Sequence, residues 1–525
     1  MFQRRKAEAA LGINVTAARA LQELLRTNLG PKGTMKMLVS EAGDIKLTKS
    51  GGLLLREMRL QHPTVSFIAR AVATLSDTMG DGTTSAVLLV GEMLKEAERY
   101  ISQGVHPRLI VEGLEVAKEE AISCLDELWE DEEDSIRRRV ARTSLGTKVC
   151  PELAEVLTDL VLAAVTSVSR QRRPIDLKLV ELMVMRHQTE WDTVLVKGLV
   201  LDHGARHPGM KRRVEDAFVL AMNVALEHVL PRVSSSCFYK DAEERERFVK
   251  AERQVVQEKV EKIIALKREV CGTSNKGFVV VNQKGIDPLA LGALAREGIV
   301  ALRRAKKSNM ERLPLACGGQ VVSSLQDLSA GCLGHAGLVY QETLGESTYT
   351  FIEQCDNPRS VTVLIKGPNE HTLAQVKEAI WCGMRAVKNT IEDGCAMPGA
   401  GAVELRIRNQ LVNHQMDKVR GVARPGFQAF ADAILVIPKT LVRNAGYDPQ
   451  EIVSKALTAE EQSTIPVGID LSSGGLIHDW DTPVWDNATV KHQLIHTSTA
   501  IVSNLLLVDE IVGIGKPTPP VDLTR

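Results

Sequence analysis

Hydrophobic periodicity changes character twice along these 525 residues, and that restricts the folds open to the chain. Ala9 to Leu29 carries apolar residues at helical spacing and is stopped by Pro31-Lys32-Gly33. Gln61 to Leu75 and Ser85 to Ile101 predict further helices, split by a glycine turn. The middle reads differently. Gly277-Phe278-Val279-Val280-Val281 is a buried-strand run, followed by a helix from Asp287 to Glu297, a strand over Ile299-Val300-Ala301-Leu302 and a helix from Asn309. This βαβα alternation predicts an α/β domain between about 206 and 360. Helical patterning returns over Gly426 to Val442, Pro449 to Glu461 and His492 to Leu507. Helical character on both sides of an α/β insert predicts one domain built from two distant segments. No repeat of solenoid length is present.

Two charged stretches punctuate the pattern. Glu130-Asp131-Glu132-Glu133-Asp134 reads as a solvated helix end or loop near a boundary. Asp241 to Val270 predicts a long charged helix with apolar residues at Phe248, Val249, Val256, Val260, Ile263 and Ile264, the pattern of a core-facing stripe.

Composition narrows the function classes. A net charge of −1 and 4% aromatic residues point away from nucleic acid and from anionic membranes. No run of about 18 or more apolar residues occurs, and Met1-Phe2-Gln3-Arg4-Arg5-Lys6-Ala7 has no apolar stretch behind its charges, so a soluble cytoplasmic chain is expected. The nine cysteines, Cys124, Cys150, Cys237, Cys271, Cys317, Cys332, Cys355, Cys382 and Cys395, are odd in number and form no Cys-x-x-Cys. That argues against a disulfide framework or zinc site and fits a reducing compartment. His203 and His207 flank a Gly-containing, Pro-terminated stretch unsuited to a helix. His492 and His496 can share a helical face, but Gln493 stands where a zinc protease needs Glu.

Gly80-Asp81-Gly82-Thr83-Thr84-Ser85 leads straight into the apolar helix beginning Ala86-Val87-Leu88. Glycines let the backbone approach a ligand, and the unpaired N–H groups of a helix start, with its dipole, suit phosphate. Thr83 and Thr84 add hydroxyls, and Asp81 is a hard oxygen donor suited to Mg²⁺. Asp-Gly is also a common turn pair, so a plain capped turn is the competing reading. Leu29-Gly30-Pro31-Lys32-Gly33 is a second glycine turn, with Asn28 and Lys32 placed to hold phosphates. Pro398-Gly399-Ala400-Gly401-Ala402-Val403-Glu404 is a third. Neither Gly-x4-Gly-Lys-[Ser/Thr] nor Gly-x-Gly-x-x-Gly occurs at these sites, which disfavours a P-loop or Rossmann enzyme.

Together, at these distances, the three turns resemble the nucleotide site of the cytosolic eukaryotic chaperonin, a group II chaperonin also called the TCP ring complex. Longer strings are similar to its zeta-type subunits: Arg26 to Leu38, Gly198 to Pro208, Asn282 to Pro288, Ala301 to Ala305 and Gln428 to Ala433. The likeness runs from about residue 6 to 511. It implies an α/β multidomain chaperonin fold. A mostly helical equatorial nucleotide-binding domain would comprise 1–137 and 396–525, and an intermediate hinge 138–205 and 361–395. An apical substrate-binding α/β domain would span 206–360, with a helical lid protrusion at about Val233 to Ala251. It also implies ATP or ADP with Mg²⁺ as ligands. Gly30, Pro31, Gly82, Thr83, Thr84 and Ser85 would bind phosphates, and Asp81 the metal. Thr147 and Lys148 would lie near the nucleotide, and Gly401, Asp486 and Lys491 would contact the adenosine part. The implied partners are other subunits of a hetero-oligomeric double ring, and unfolded clients such as actin and tubulin.

The chain departs from the family pattern where hydrolysis is concerned. A Thr-Lys-Asp-Gly string reads Thr48-Lys49-Ser50-Gly51 here, and the second water-activating aspartate, twelve residues before Gly394, is Cys382. A hydroxyl and a thiol of pKa about 8.5 are neutral at pH 7 and replace no carboxylate base. Weak or absent hydrolysis by an ATP-binding subunit is therefore expected. The other reading is a structural, substrate-binding subunit whose neighbours supply the ATPase. Glu227-His228-Val229-Leu230-Pro231-Arg232 departs as well, at the entry to the lid.

Overall fold

Helix Thr83–Ser102 shows why both ends of the chain belong to one core. Ala86, Leu88, Leu89, Met93, Leu94 and Ala97 are all completely buried along it. A helix whose first half is apolar nearly all round must be packed among others, while Lys95 and Arg99 further along remain exposed. In the computed structural model the enclosing helices are Phe2–Arg26, Pro63–Met79 and Pro107–Asp126 from the first part of the chain. Arg424–Ala433, Val436–Asn444 and Ala488–Leu506 from the last part complete the shell. Leu25, Val72, Phe427, Phe430 and Val502 meet in this one core. Helices Pro107–Asp126 and Arg424–Ala433 approach through glycine on both sides. A Cβ at Gly113 would lie 2.1 Å from the Ala423 carbonyl oxygen, and one at Gly426 2.1 Å from that of Ile110.

The structure describes residues 2–131, 133–169, 174–227, 242–272, 274, 276–326, 328–345, 347–356, 358–415, 421–478 and 484–511. They form two compact units, 1–158 with 378–525, and 159–377. The first unit contains the helical core, the hairpin Lys36–Val39 with Ile45–Thr48, and a small sheet. In that sheet Cys395–Pro398 runs antiparallel between Trp485–Asn487 and Glu130–Asp131. Of the acidic run read as a solvated helix end or loop, Glu130–Asp131 thus supply an edge strand and Asp134 opens helix Asp134–Gly146. The single helix expected over Gly426 to Val442 is two, interrupted at Ile434 and Leu435. Pro438 is the cause: it has no N–H for the Ile434 carbonyl, and its ring crowds that group.

The second unit is a six-stranded mixed sheet in the order Leu199–Leu201, Ser347–Glu353, Gly334–Leu344, Arg213–Met222, Gly277–Asn282, Val300–Leu302. Its parallel half is the alternation read from the sequence, with helices Pro288–Arg296 and Lys307–Cys317 as crossover and flank. Asp287 caps the first of these, accepting from the Leu289 N–H at 2.8 Å. The hairpin Gly334–Leu344 with Ser347–Glu353 escaped that reading, because its buried positions do not alternate cleanly along the first strand. A second, three-stranded sheet orders Val180–Arg186, Val361–Gly367, Val194–Val196.

The long charged helix runs Ala242–Cys271, and its C-terminal half buries Val260, Ile263 and Leu266. Of the expected lid entry, 227–232, all but Glu227 lies outside the described residues, as do 233–241 of the expected lid protrusion and with them Cys237. The eight described cysteines are free thiols. Among the described residues no helix is long and apolar enough to cross a membrane, and no cluster of His, Cys, Asp and Glu has metal-site geometry.

Candidate functional site

Gly80 and Gly82 both take left-handed φ angles, 81° and 82°, which reverse the chain between helix Pro63–Met79 and helix Thr83–Ser102. Gly82 is the N-cap of the second helix, and no side chain caps it. Asp81 accepts from the Gly82 N–H at 2.9 Å instead. The positive end of this largely buried helix is therefore left open at Thr83, Thr84 and Ser85, an arrangement that favours an anion.

A second backbone lies against those threonines. Ser50 caps the short helix Gly51–Glu57, its hydroxyl accepting from Leu53 N–H at 3.4 Å. A Cβ on Gly51 would stand 2.5 Å from Thr84 Oγ1 and 3.3 Å from Thr84 N, and one on Gly52 2.3 Å from Ser76 Oγ. Gly51→Val should therefore push the two helix starts apart, costing about 1–3 kcal/mol of overpacking strain. The thermal melting point should fall, and a variant with an unchanged melting point would show the contact to be slack.

The turn Gly30–Gly33 joins this arrangement through Lys49, whose Nζ donates to the Pro31 carbonyl at 3.0 Å. Burial, aided by the nearby Lys148 ammonium, lowers the Lys49 amine to about 8. Gly30 is left-handed at φ 82°, and a Cβ there would fall 2.5 Å from Leu441 Cδ2. Asn444 Nδ2 holds the approach by donating to the carbonyls of Arg26 and Leu29 at 3.0 and 2.9 Å. Beside them Asn28 is 4% exposed, and neither atom of its side-chain amide has a partner among the described residues. A buried unsatisfied amide is costly, so a ligand that pairs with it fits the site.

The third turn carries Gly401 at φ 79°, capping helix Ala402–Gln410 without a side-chain bond. Its neighbour Gly399 donates to the Val484 carbonyl at 3.1 Å, which places the strand holding Asp486 alongside. Lys491 Nζ sits 2.7 Å from Glu404 Oε1 and 3.0 Å from Asp486 Oδ2. Burial would lower this amine, but Asp486 and Glu404 together hold it above the usual lysine range. Val490, just before it, is the side chain a Cβ on Gly82 would meet, at 3.0 Å.

Asp81 anchors the remaining group. Its Oδ2 accepts from Ser144 Oγ at 3.3 Å and lies 3.5 Å from Lys148 Nζ. Lys148 also donates to the Ser144 carbonyl and to Thr147 Oγ1, both at 3.2 Å. Burial opposes the Lys148 charge, yet Asp81, with Glu378, raises its pKa. Burial likewise pushes the Cys382 thiol up to about 11, against the pull of Lys148. Arg385 closes the floor: its chain fills the space a Gly80 Cβ would need, and its guanidinium donates to the Ser76 carbonyl and lies 4.9 Å from the Trp381 ring centroid.

The site residues expected from sequence thus fall in linked positions within one unit. The contacts tie Pro31 to Lys49, Gly51 to Thr84, Gly82 to Val490, and Asp81 to Ser144 and Lys148. Sequence reasoning missed Lys49, Ser144, Glu378, Arg385, Asn389 and Glu404. Glu378 was detectable, since it lies one helical turn before Cys382 on helix Glu370–Asp393. Arg385 and Asn389, which donates to the Met79 carbonyl at 3.0 Å, had no local signal.

A helical core drawn from both chain ends, three glycine turns on it and a separate mixed-sheet unit define a chaperonin. Residues 21–516 match the TCP-1/cpn60 chaperonin family, and the chain belongs to that family of chaperones. It is similar to the T-complex protein 1 subunit zeta-2 of Homo sapiens, with 58% identity over 512 residues, 97% of this chain and 96% of that protein. The Mus musculus subunit of the same name is 56% identical over the same length.

Proposed function

We propose that this chain is one subunit of the cytosolic, hetero-oligomeric chaperonin double ring that folds proteins such as actin and tubulin, and that it binds Mg-ATP while hydrolysing it weakly or not at all. The observation that carries the reading is the open helix start at Thr83–Ser85, faced by the Gly51 backbone, with the unpaired amide of Asn28 at the turn that Lys49 ties to that backbone. These groups suit the phosphates, with Gly30 and Pro31 beside them. Asp81 would hold Mg²⁺ in competition with Lys148, and Thr147 borders that pair. Gly401, Asp486 and Lys491 would border the adenosine part. ATP supplies the phosphoanhydride whose cleavage resets a chaperonin; the chain's residues bind and orient it. Residues 138–205 with 361–395 would act as hinge, and 206–360 as the client-binding part.

A second reading is a non-hydrolysing structural subunit whose neighbours carry the ATPase. The neutral Cys382 thiol favours it.

Binding is tested by thermal melting with and without MgADP. At about 100 times Kd the ligand should add about 2.7 kcal/mol of stability. Asp81→Asn should abolish the dependence on Mg²⁺ but leave a weaker metal-free shift. No shift in the unmodified chain would end the nucleotide reading.

A further inference from the structure

Glu378 carries a carboxylate into the site by two independent routes. On one side it accepts from Ser50 Oγ at 3.3 Å, and Ser50 directly precedes Gly51, the residue against Thr84. On the other, Asp81 and Glu378 are the carboxylates whose charges act on both Lys148 and Cys382. The i, i+4 spacing from Glu378 to Cys382 puts both on one face of helix Glu370–Asp393. Asp81 is already engaged with Lys148, Ser144 and the Gly82 N–H. Glu378 is half-buried, so its charge is only partly screened.

We infer that Glu378 is the carboxylate that orients and deprotonates the attacking water at this site, and so sets whatever hydrolysis the chain retains. The inference rests on the Mg-ATP reading above. In the step, a water oxygen forms a bond to the γ-phosphorus and its proton passes to the Glu378 carboxylate. The bond from that phosphorus to the β–γ bridging oxygen breaks, and the electron pair leaves on ADP. A positioned base of this kind is worth about 10²- to 10⁴-fold in rate.

The test uses full-length chain and compares MgADP with MgADP–aluminium fluoride, an analogue of the phosphoryl group in transfer, by calorimetry. Glu378→Gln should bind MgADP within about twofold of the unmodified chain and MgADP–aluminium fluoride at least about tenfold more weakly. Its single-turnover hydrolysis should fall about 100-fold. Glu378→Asp should retain part of both. Equal loss of MgADP and analogue binding, mirrored by Ser50→Ala, would mean that Glu378 merely props the helix cap and would overturn the inference. So would unchanged analogue affinity, or an unmodified chain that binds nucleotide without any hydrolysis. If the unmodified chain binds no MgADP, the nucleotide reading itself fails, a result plainly different from these.

Discussion

Replacing Ser50 and Cys382 together by aspartate should raise single-turnover ATP hydrolysis at this subunit by about 10²- to 10⁴-fold. The structure explains why the present residues are poor bases. The Cys382 thiol, 4% exposed, is pushed up to about 11 and carries no charge at pH 7. The Ser50 hydroxyl is committed to Leu53 N–H and Glu378. The two substitutions should not act alike. An aspartate at 382 would feel Asp81 and Glu378 but also the Lys148 ammonium, the strongest of these charges, and Arg385, which together offset the cost of burying it. An aspartate at 50 would instead face Glu378, where Ser50 Oγ now lies 3.3 Å from Oε1, and like charges so close repel. Cys382→Asp alone should therefore give the larger single gain, and the pair need not multiply. Rapid-quench measurement with chain in excess over ATP reads the rate directly. An unchanged rate in the double variant, with nucleotide still bound, would show that hydrolysis is limited elsewhere.

The largest stability effect is expected at Lys491. Lys491→Met removes the counter-charge of Glu404, whose side chain is 3% exposed, and should cost about 3–5 kcal/mol in denaturant unfolding. Asp486, at 31% exposed, retains solvent and suffers less. Adding Glu404→Leu should recover most of the loss, because a buried apolar pair replaces a buried pair of charges at little net cost. If the double variant is no more stable than Lys491→Met, the ion pair is not the reason for the loss. The pH dependence has a definite sign. A lysine whose pKa is raised by folding contributes its full stabilisation below the unfolded value of about 10.4 and loses it progressively as the pH climbs from there to its folded value. The stabilisation from Lys491 should thus be flat from pH 6 to 9 and fade only in strong alkali.

Much of the architecture was legible because its causes are local. The parallel strands Gly277–Asn282 and Val300–Leu302 are continuous apolar runs, as strands covered on both faces must be. The helix over Gly426 to Val442 was misread because propensity treats Pro438 as one unfavourable residue, whereas it removes a specific bond to Ile434. The edge strand Glu130–Asp131 was invisible, since two acidic residues form a strand only where Cys395 and Ala396 offer them a ladder.

The glycine turns follow the same division. Gly80-Asp81-Gly82-Thr83-Thr84 announced an open helix start in the sequence, because positive φ and an uncapped terminus are properties of neighbouring residues. That Ser50 and Cys382 stand where the family carries carboxylates is an expectation from the sequence resemblance alone. That Lys49 ties Pro31 to the Gly51 backbone, that Arg385 fills the space beneath Gly80, and that Glu378 reaches Ser50 from 328 positions away were decided by tertiary structure alone. The physical reason is range. Chain geometry sets φ angles and caps within a few residues, but charges and van der Waals contacts act through space, and only packing brings such distant residues within a few ångströms.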